Sequence, residues 1–162
     1  MIGMLIAVVI FNFIVYKTNK RLTLNQIVHI WTFSIALQSC FDIFVEFKFH
    51  GYWYFDKEID WPGLIPHLLI VPPVNIIFLN FFPFKSKTST QITYLFFFVI
   101  VILAYEKIAL LPEPFGYFHY GWWRLWHAVI LDPILLFILL GFYKWICKLE
   151  RRAGSSYEKP RY

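Results

Sequence analysis

Residues 96–103 read FFFVIVIL, a run that is apolar on every side. A strand of a small membrane β-barrel would alternate between apolar and polar residues, and this run does not alternate. It lies inside a longer apolar segment, residues 91–111, which is about as long as a helix that crosses a bilayer, roughly 20 residues. The stretch therefore predicts a transmembrane helix.

The rest of the chain repeats this pattern. Four other apolar runs qualify or nearly qualify as spans: 1–16, which is somewhat short, 24–47, 61–82 and 125–146. Backbone groups inside a bilayer must form their hydrogen bonds within the segment, so helices are the expected form. We therefore predict an all-α fold, a bundle of five transmembrane helices in one domain at residues 1–150, followed by a short, basic, disordered tail at 151–162.

Pro72 and Pro73 interrupt the third run and predict a kink, because each proline removes a backbone hydrogen bond. The carbonyls that they free, with Asn75 nearby, either line a cavity or are satisfied by neighbouring helices. The sequence leaves these two alternatives open.

Composition excludes an ordinary soluble domain. The chain has 162 residues, of which 59% are hydrophobic, 22% aromatic and 15% charged. Soluble domains carry about 25% charged residues, and a small one cannot bury so much apolar surface. The first run lacks a basic leader and a clear cleavage site, so we expect a retained helix. Cys40 and Cys147 do not form a CxxC pair, and we expect neither a metal knuckle, nor a disulfide between them, nor a cofactor.

Charge predicts the orientation. Basic residues follow the first, third and fifth runs: Lys17, Lys20, Arg21, Lys85, Lys87, Lys148, Arg151 and Arg152. The second connector has mixed charge, and the fourth carries only Glu113. Lysine and arginine stay preferentially on the cytoplasmic side, so the N-terminus is expected outside and the C-terminus inside. We therefore attribute the net charge of +5 to basic residues that fix the orientation of the helices in the membrane, and we expect no nucleic-acid partner.

Several polar residues fall inside these apolar runs, where ionisable groups are costly and need a reason. The predicted orientation places most of them in the outer half of the bilayer. Asp42 and Glu46 are four residues apart and share one helical face. The candidate ligand- or ion-binding residues are Asp42, Glu46, His67, Asn75, Glu106, His127 and Asp132.

Alternatives remain for these groups. They form either a structural polar network, in which Glu106 pairs with Lys107 or Arg124 and His127 bonds a loop carbonyl, or a functional site. The functional alternatives are a cation or proton site, a zinc or manganese site without HxxxH or HExxH spacing, and catalysis on a lipid or envelope substrate. The aromatic outer connectors form either an anchoring belt or a lid over a pocket.

A resemblance adds to this interpretation. Asp42, the segments 52–55 (YWYF) and 77–83 (IFLNFFP), Glu106 and the Trp122-Trp123 pair resemble a family of small multi-pass membrane proteins found in bacilli and clostridia. The resemblance implies a bacterial cytoplasmic membrane location and this architecture, and it supplies no catalytic residues.

The leading hypothesis is a non-enzymatic module that binds or conducts a small solute, a cation or a lipid headgroup through an outward-facing polar site. The alternatives are a membrane-embedded enzyme and a structural subunit of a larger complex, and oligomerisation is left open.

Overall fold

A computed structural model of the chain describes residues 1–58 and 61–157 and is mostly helical, at 75%. Its helices are α1 (Ile2–Thr18), α2 (Leu24–Asp42), α3 (Trp61–Leu69), α4 (Val71–Phe81), α5 (Thr88–Ala109) and α6 (Leu125–Tyr157). A π-helical turn, Ile43–Lys48, continues α2, and strands β1 (Tyr52–Tyr54) and β2 (Phe118–Tyr120) complete the order. The helical fold predicted from the sequence is confirmed at this level.

Within the described residues, four segments are long and apolar enough to cross a membrane: Leu24–Lys48, Trp61–Phe81, Thr88–Ala109 and Leu125–Ala153. Helix α1 is apolar but shorter. Large apolar side chains point outward from the bundle, among them Phe96, 65% exposed, and Phe137, 58% exposed. Contiguous apolar surface of this kind is typical of a face that lipid covers. These are the features of a membrane-integral helical protein.

The third span is divided at Ile70, two residues before Pro72. Pro72 and Pro73 lie in the first turn of α4, where a missing backbone N–H is tolerated best. A proline disrupts the helix over the turn that precedes it, so the break at Ile70 agrees with the kink that the prolines predict.

The carbonyls that the prolines free, those of Leu68 and Leu69, accept hydrogen bonds from other helices. The indole Nε1 of Trp31 on α2 donates to Leu68 O at 3.1 Å. The amide Nδ2 of Asn12 on α1 donates to Leu69 O at 2.9 Å. The structure therefore favours the packed alternative for these two carbonyls.

The second and fourth connectors are joined by a short antiparallel ribbon in which Tyr52 pairs with Tyr120 and Tyr54 pairs with Phe118. An entirely helical prediction does not include this ribbon. At its end, the Gly121 N–H donates to Gly51 O at 2.8 Å. A Cβ atom at Gly121 would lie 2.1 Å from the His50 carbonyl oxygen, so the close approach requires glycine.

The opposite end is tied together by Glu150 on α6. Its carboxylate accepts hydrogen bonds from Asn25 at 2.7 Å and from Gln26 at 2.5 Å, both in the first turn of α2. A carboxylate is favourable there because of the partial positive charge at a helix N-terminus.

Helix α6 continues to Tyr157 and so includes residues 151–157 of the predicted tail. Arg151, Arg152 and Ala153 are good helix formers, and no proline occurs between residues 151 and 157. Residues 158–162 of the predicted tail lie outside the described residues.

Two apolar clusters form the core. One surrounds Ile76, Phe78 and Leu139. The other, beneath the ribbon, includes Met4 and Trp123. Helix α4 packs against both α1 and α2, which places it at the centre of the bundle.

Candidate functional site

A cavity of about 380 Å³ lies within the bundle. Side chains from all six helices and from both strands line it, and most of them are apolar. A mostly apolar pocket of a few hundred Å³ with a few polar groups is typical of a small-molecule site. Its polar lining includes Ser34, Gln38, Asn75, Tyr105, Glu106 and Asp132.

Residues of the ribbon and of its flanks line this cavity. Tyr52, Tyr117 and Trp123 contribute to the lining and are buried. In contrast, Trp61 is 84% exposed and Trp126 is 59% exposed. The aromatic residues of the two connectors thus differ in position: the first group is buried in the lining of the cavity, and the second is exposed as an anchoring belt would be.

Two carboxyl groups face the cavity from neighbouring helices. Asp132 on α6 has a buried Oδ2 atom with no hydrogen-bond partner among the described residues. Glu106 on α5 interacts with it electrostatically and accepts a hydrogen bond from the Tyr120 hydroxyl at 2.5 Å. No lysine, arginine or histidine occurs among the described residues that line the cavity. The cavity therefore favours a positively charged group.

Asn75 lies on α4 and also lines the cavity. Its Nδ2 donates to Ser34 Oγ on α2 at 2.8 Å, and the Ser34 hydroxyl donates to Ile30 O at 2.7 Å. This chain of bonds fixes the amide, so Asn75 supplies polarity to the wall while it joins two helices.

A second polar group lies behind one wall of the cavity, and we call it the acid–histidine cluster: Asp42, Glu46 and His67. Nε2 of His67 lies 2.7 Å from Oδ2 of Asp42 and 3.8 Å from Oε2 of Glu46. All three residues are buried, with exposed fractions of 1% for Asp42, 4% for Glu46 and 6% for His67. One oxygen or nitrogen from each lies within 4.8 Å of the others.

The local backbone explains this convergence. Asp42 is the last residue of α2, and Glu46 lies in the π-helical turn that follows. Within that turn the Phe49 N–H bonds the Phe44 carbonyl, five residues earlier, at 2.9 Å. Single π-helical turns inside helices are frequent at functional sites. Here the turn holds both acids against α3.

Hydrogen bonds orient both acids of the acid–histidine cluster. Gln38 Nε2 donates to both carboxylate oxygens of Asp42, at 3.0 and 2.9 Å. The Tyr52 hydroxyl also donates to Asp42. The Tyr54 N–H donates to Glu46 Oε1 at 3.3 Å. Gln38, Tyr52 and Tyr54 also line the cavity, so the two polar groups share a wall.

The ribbon tyrosines are held in their neutral form. Burial, together with the nearby Asp42 carboxylate, raises the pKa of Tyr52 and that of Tyr54 well above the usual 10.0. Burial also raises the pKa of Tyr117 and of Tyr120. The Tyr52 hydroxyl therefore keeps its proton and acts as a donor to Asp42.

His127 belongs to neither group. Its Nδ1 accepts a hydrogen bond from the Arg124 N–H at 2.9 Å in the first turn of α6. The ring stacks on Trp126 and on Trp123, with centroids 3.6 and 4.9 Å away. A free N–H at a helix start needs an acceptor, and His127 supplies one, so its position is that of a structural cap.

The seven predicted site residues thus fall into three groups. Asn75, Glu106 and Asp132 line the cavity; Asp42, Glu46 and His67 form the acid–histidine cluster; His127 caps α6. Only Asn75, Glu106 and Asp132 of the seven are among the described residues that line the cavity.

Sequence reasoning missed Gln38 and Tyr52. Gln38 lies four residues before Asp42, a spacing that places both on one helical face and could have identified it. Tyr52 reaches Asp42 only because the connector folds back into the ribbon, and no local pattern predicts that.

Comparisons of the chain with family models, with curated proteins and with solved structures found no match. The function is therefore argued from the two polar groups.

Proposed function

We propose that this chain is a five-span protein of a bacterial cytoplasmic membrane, with its N-terminus outside, whose central cavity binds a small amphiphile that carries an N–H-bearing ammonium group. The alternating charge of the connectors supports the orientation. The resemblance to small multi-pass proteins of bacilli and clostridia supports the location.

The observation that carries the binding proposal is the buried Oδ2 of Asp132, which has no hydrogen-bond donor among the described residues. A buried acceptor without a donor is costly, and a buried carboxylate more so. An ammonium N–H would supply both the donor and the opposite charge. Glu106 nearby increases the preference for a cation.

The residues that line the cavity indicate the chemistry of the rest of the ligand. Apolar side chains from α1, α4 and α5 surround the carboxyl groups, so the body of the ligand is apolar. Tyr105 and Trp123 also line the cavity, and aromatic rings attract a cation that lies over them. A free organic amine and the headgroup of an ethanolamine lipid share this chemistry.

The test uses 2-phenylethylammonium as a probe. The purified protein is placed in nanodiscs of phosphatidylglycerol, and binding is measured by calorimetry against empty nanodiscs. We expect Asp132→Asn to weaken binding about tenfold to 100-fold, because it removes a charged hydrogen bond. The neutral analogue 2-phenylethanol should bind much more weakly than the ammonium.

The matched control is Asp56→Asn, which makes the same change at an exposed position of the second connector. It should leave binding unchanged. Equal affinity of the wild type and Asp132→Asn for the probe would overturn the proposal.

A competition experiment with lipids distinguishes a free amine from a lipid headgroup as the ligand. Phosphatidylethanolamine added to the nanodiscs should compete with the probe if the headgroup is the ligand, whereas phosphatidylcholine, which has no N–H, should not. Competition by neither lipid, with probe binding intact, assigns the cavity to a free amine.

A further inference from the structure

We propose that the acid–histidine cluster is a binding site for a divalent transition metal ion, Zn²⁺ or Mn²⁺. The site lies outside the cavity lining, and the inference does not depend on the amphiphile proposed above.

The donor set is the first argument. Two carboxylates and one imidazole, brought together from the end of α2 and from α3, converge within 4.8 Å. Imidazole suits zinc, and carboxylates suit both zinc and manganese. Three protein ligands leave a coordination position open, as in zinc sites that hold a further water or substrate.

The orientation of the His67 ring is the second argument. The ring has a hydrogen bond to the backbone of Gly63, one turn earlier in α3. Nε2 is buried and faces the Asp42 carboxylate, with Oδ2 2.7 Å away, so the bond to Gly63 is made through Nδ1. In a neutral ring whose Nδ1 donates to a carbonyl, Nε2 carries a lone pair.

That lone pair faces negative charge. Nε2 of His67 lies 2.7 Å from Oδ2 of Asp42, with Oε2 of Glu46 on the same side. A lone pair and a carboxylate oxygen at this distance repel each other unless positive charge lies between them. A metal ion that binds all three atoms supplies that charge and does not require a linear N–H···O bond.

The surroundings also fit a metal site. Ligating histidines usually donate their other ring nitrogen to a carbonyl, and ligating carboxylates are themselves hydrogen-bonded. Here Gly63 orients His67, Gln38 orients Asp42, and the Tyr54 N–H orients Glu46. In the low-dielectric interior, a divalent ion also offsets the charge of the two buried acids.

The experiment measures metal directly. The full chain is purified, treated with EDTA, dialysed, and titrated with Zn²⁺ or Mn²⁺ alone, with stoichiometry determined by mass spectrometry of the elements. We expect one ion per chain and a raised Tm. Co²⁺ substitution should give visible d–d absorption bands.

Asp42→Asn and His67→Gln should each lower metal affinity by about 100-fold or more, because loss of even an outer hydrogen bond costs 10–100-fold. The matched controls are Asp56→Asn and His29→Gln, which make the same changes at exposed positions and should bind metal as the wild type does. Should Asp42→Asn fail to fold, Gln38→Met, which keeps all three ligands, should still lower affinity about 10–100-fold.

Two results would overturn the inference. One is the absence of a stoichiometric ion in the wild-type protein, which would indicate that a second proton on His67 supplies the charge. The other is equal metal binding by the wild type and His67→Gln, which would assign the metal to another site. Probe binding in the cavity tests the proposed function separately.

Discussion

Tyr52 lies where the ribbon, the cavity and the acid–histidine cluster meet. Its ring packs against Trp123, with centroids 5.4 Å apart, and its hydroxyl donates to Asp42. It is 5% exposed, so its phenol has exchanged water for a carboxylate partner. A single side chain thus connects the wall of the cavity to the acids behind it.

The raised pKa of Tyr52 and of Tyr54 predicts how stability depends on pH. In the folded protein both tyrosine side chains favour the neutral phenol, because their pKa values lie above the usual 10.0. Above pH 10 the unfolded chain therefore binds fewer protons than the folded one, and the free energy of unfolding falls as pH rises. Below pH 10 the two tyrosines make their full contribution to the free energy of unfolding.

Ultraviolet titration of tyrosinate measures this effect. At pH 11 the folded protein should show fewer ionised tyrosines than the unfolded chain, and Tyr52→Phe should remove no absorbance between pH 10 and 11. If Tyr52→Phe lowers the absorbance in that window, Tyr52 ionises normally and the account of its environment is wrong.

At the scale of elements, the break between α3 and α4 is held by side chains from two other helices. The Asn12 amide replaces the backbone donor that Pro73 lacks, since Leu69 O would otherwise accept from the residue four positions later. Asn12→Leu should therefore destabilise the protein by about 1 kcal/mol. Unfolding in SDS measures it.

A double-mutant cycle checks the cause. Pro73→Ala restores a backbone N–H, so Asn12→Leu should cost less in that background than in the wild type. Equal costs in both backgrounds would contradict the assignment of Asn12 to the carbonyl that Pro73 frees.

Two glycines provide a matched pair for testing the ribbon. A Cβ at Gly121 would lie 2.1 Å from His50 O, whereas nothing lies within 4 Å of a Cβ at Gly141. We expect Gly121→Ala to destabilise by about 1–3 kcal/mol through overpacking. Gly141→Ala, inside α6, should be neutral or stabilising by up to about 1 kcal/mol.

Thermal unfolding in detergent compares the two variants. A Tm of Gly121→Ala that equals or exceeds that of Gly141→Ala would show that the ribbon does not hold the two connectors as described.

The sequence predicted helices better than it predicted the features that join them. Apolar runs identify spans directly, because a bilayer imposes their length and their apolarity. The ribbon depends on pairing between connectors that are far apart in the chain, and its strands are three residues long. The break at Ile70 follows from the prolines, whereas the donors Trp31 and Asn12 could not be anticipated.

At the scale of the whole molecule, charge predicts which ends of the helices share a side of the membrane. Lys87, exposed before α5, and Glu113, exposed after it, lie on opposite sides in the proposed topology. In a chain without Cys40 and Cys147, a membrane-impermeant maleimide should label Glu113→Cys in intact bacterial cells. Lys87→Cys should react only after lysis, and the reverse pattern would invert the orientation.

The sequence also placed the polar residues by depth, but it could not place them around the bundle. Asp42 and Glu46 share a face by spacing alone, and this much was predictable. That His67 joins them, while Asp132 and Glu106 face a separate cavity, depends on how the helices rotate and pack. The depth of each polar residue can be predicted from its place in an apolar run, whereas which of them come together depends on how the helices pack.

The central claim is that Asp132 receives an ammonium group inside the cavity. The most direct measurement is solid-state NMR in phosphatidylglycerol bilayers, with ¹⁵N-labelled 2-phenylethylammonium and ¹³C-labelled aspartate. We predict dipolar coupling between the ammonium nitrogen and the Asp132 carboxyl carbon, absent in Asp132→Asn and retained in Asp56→Asn. Bound probe with no coupling to Asp132 would contradict the account.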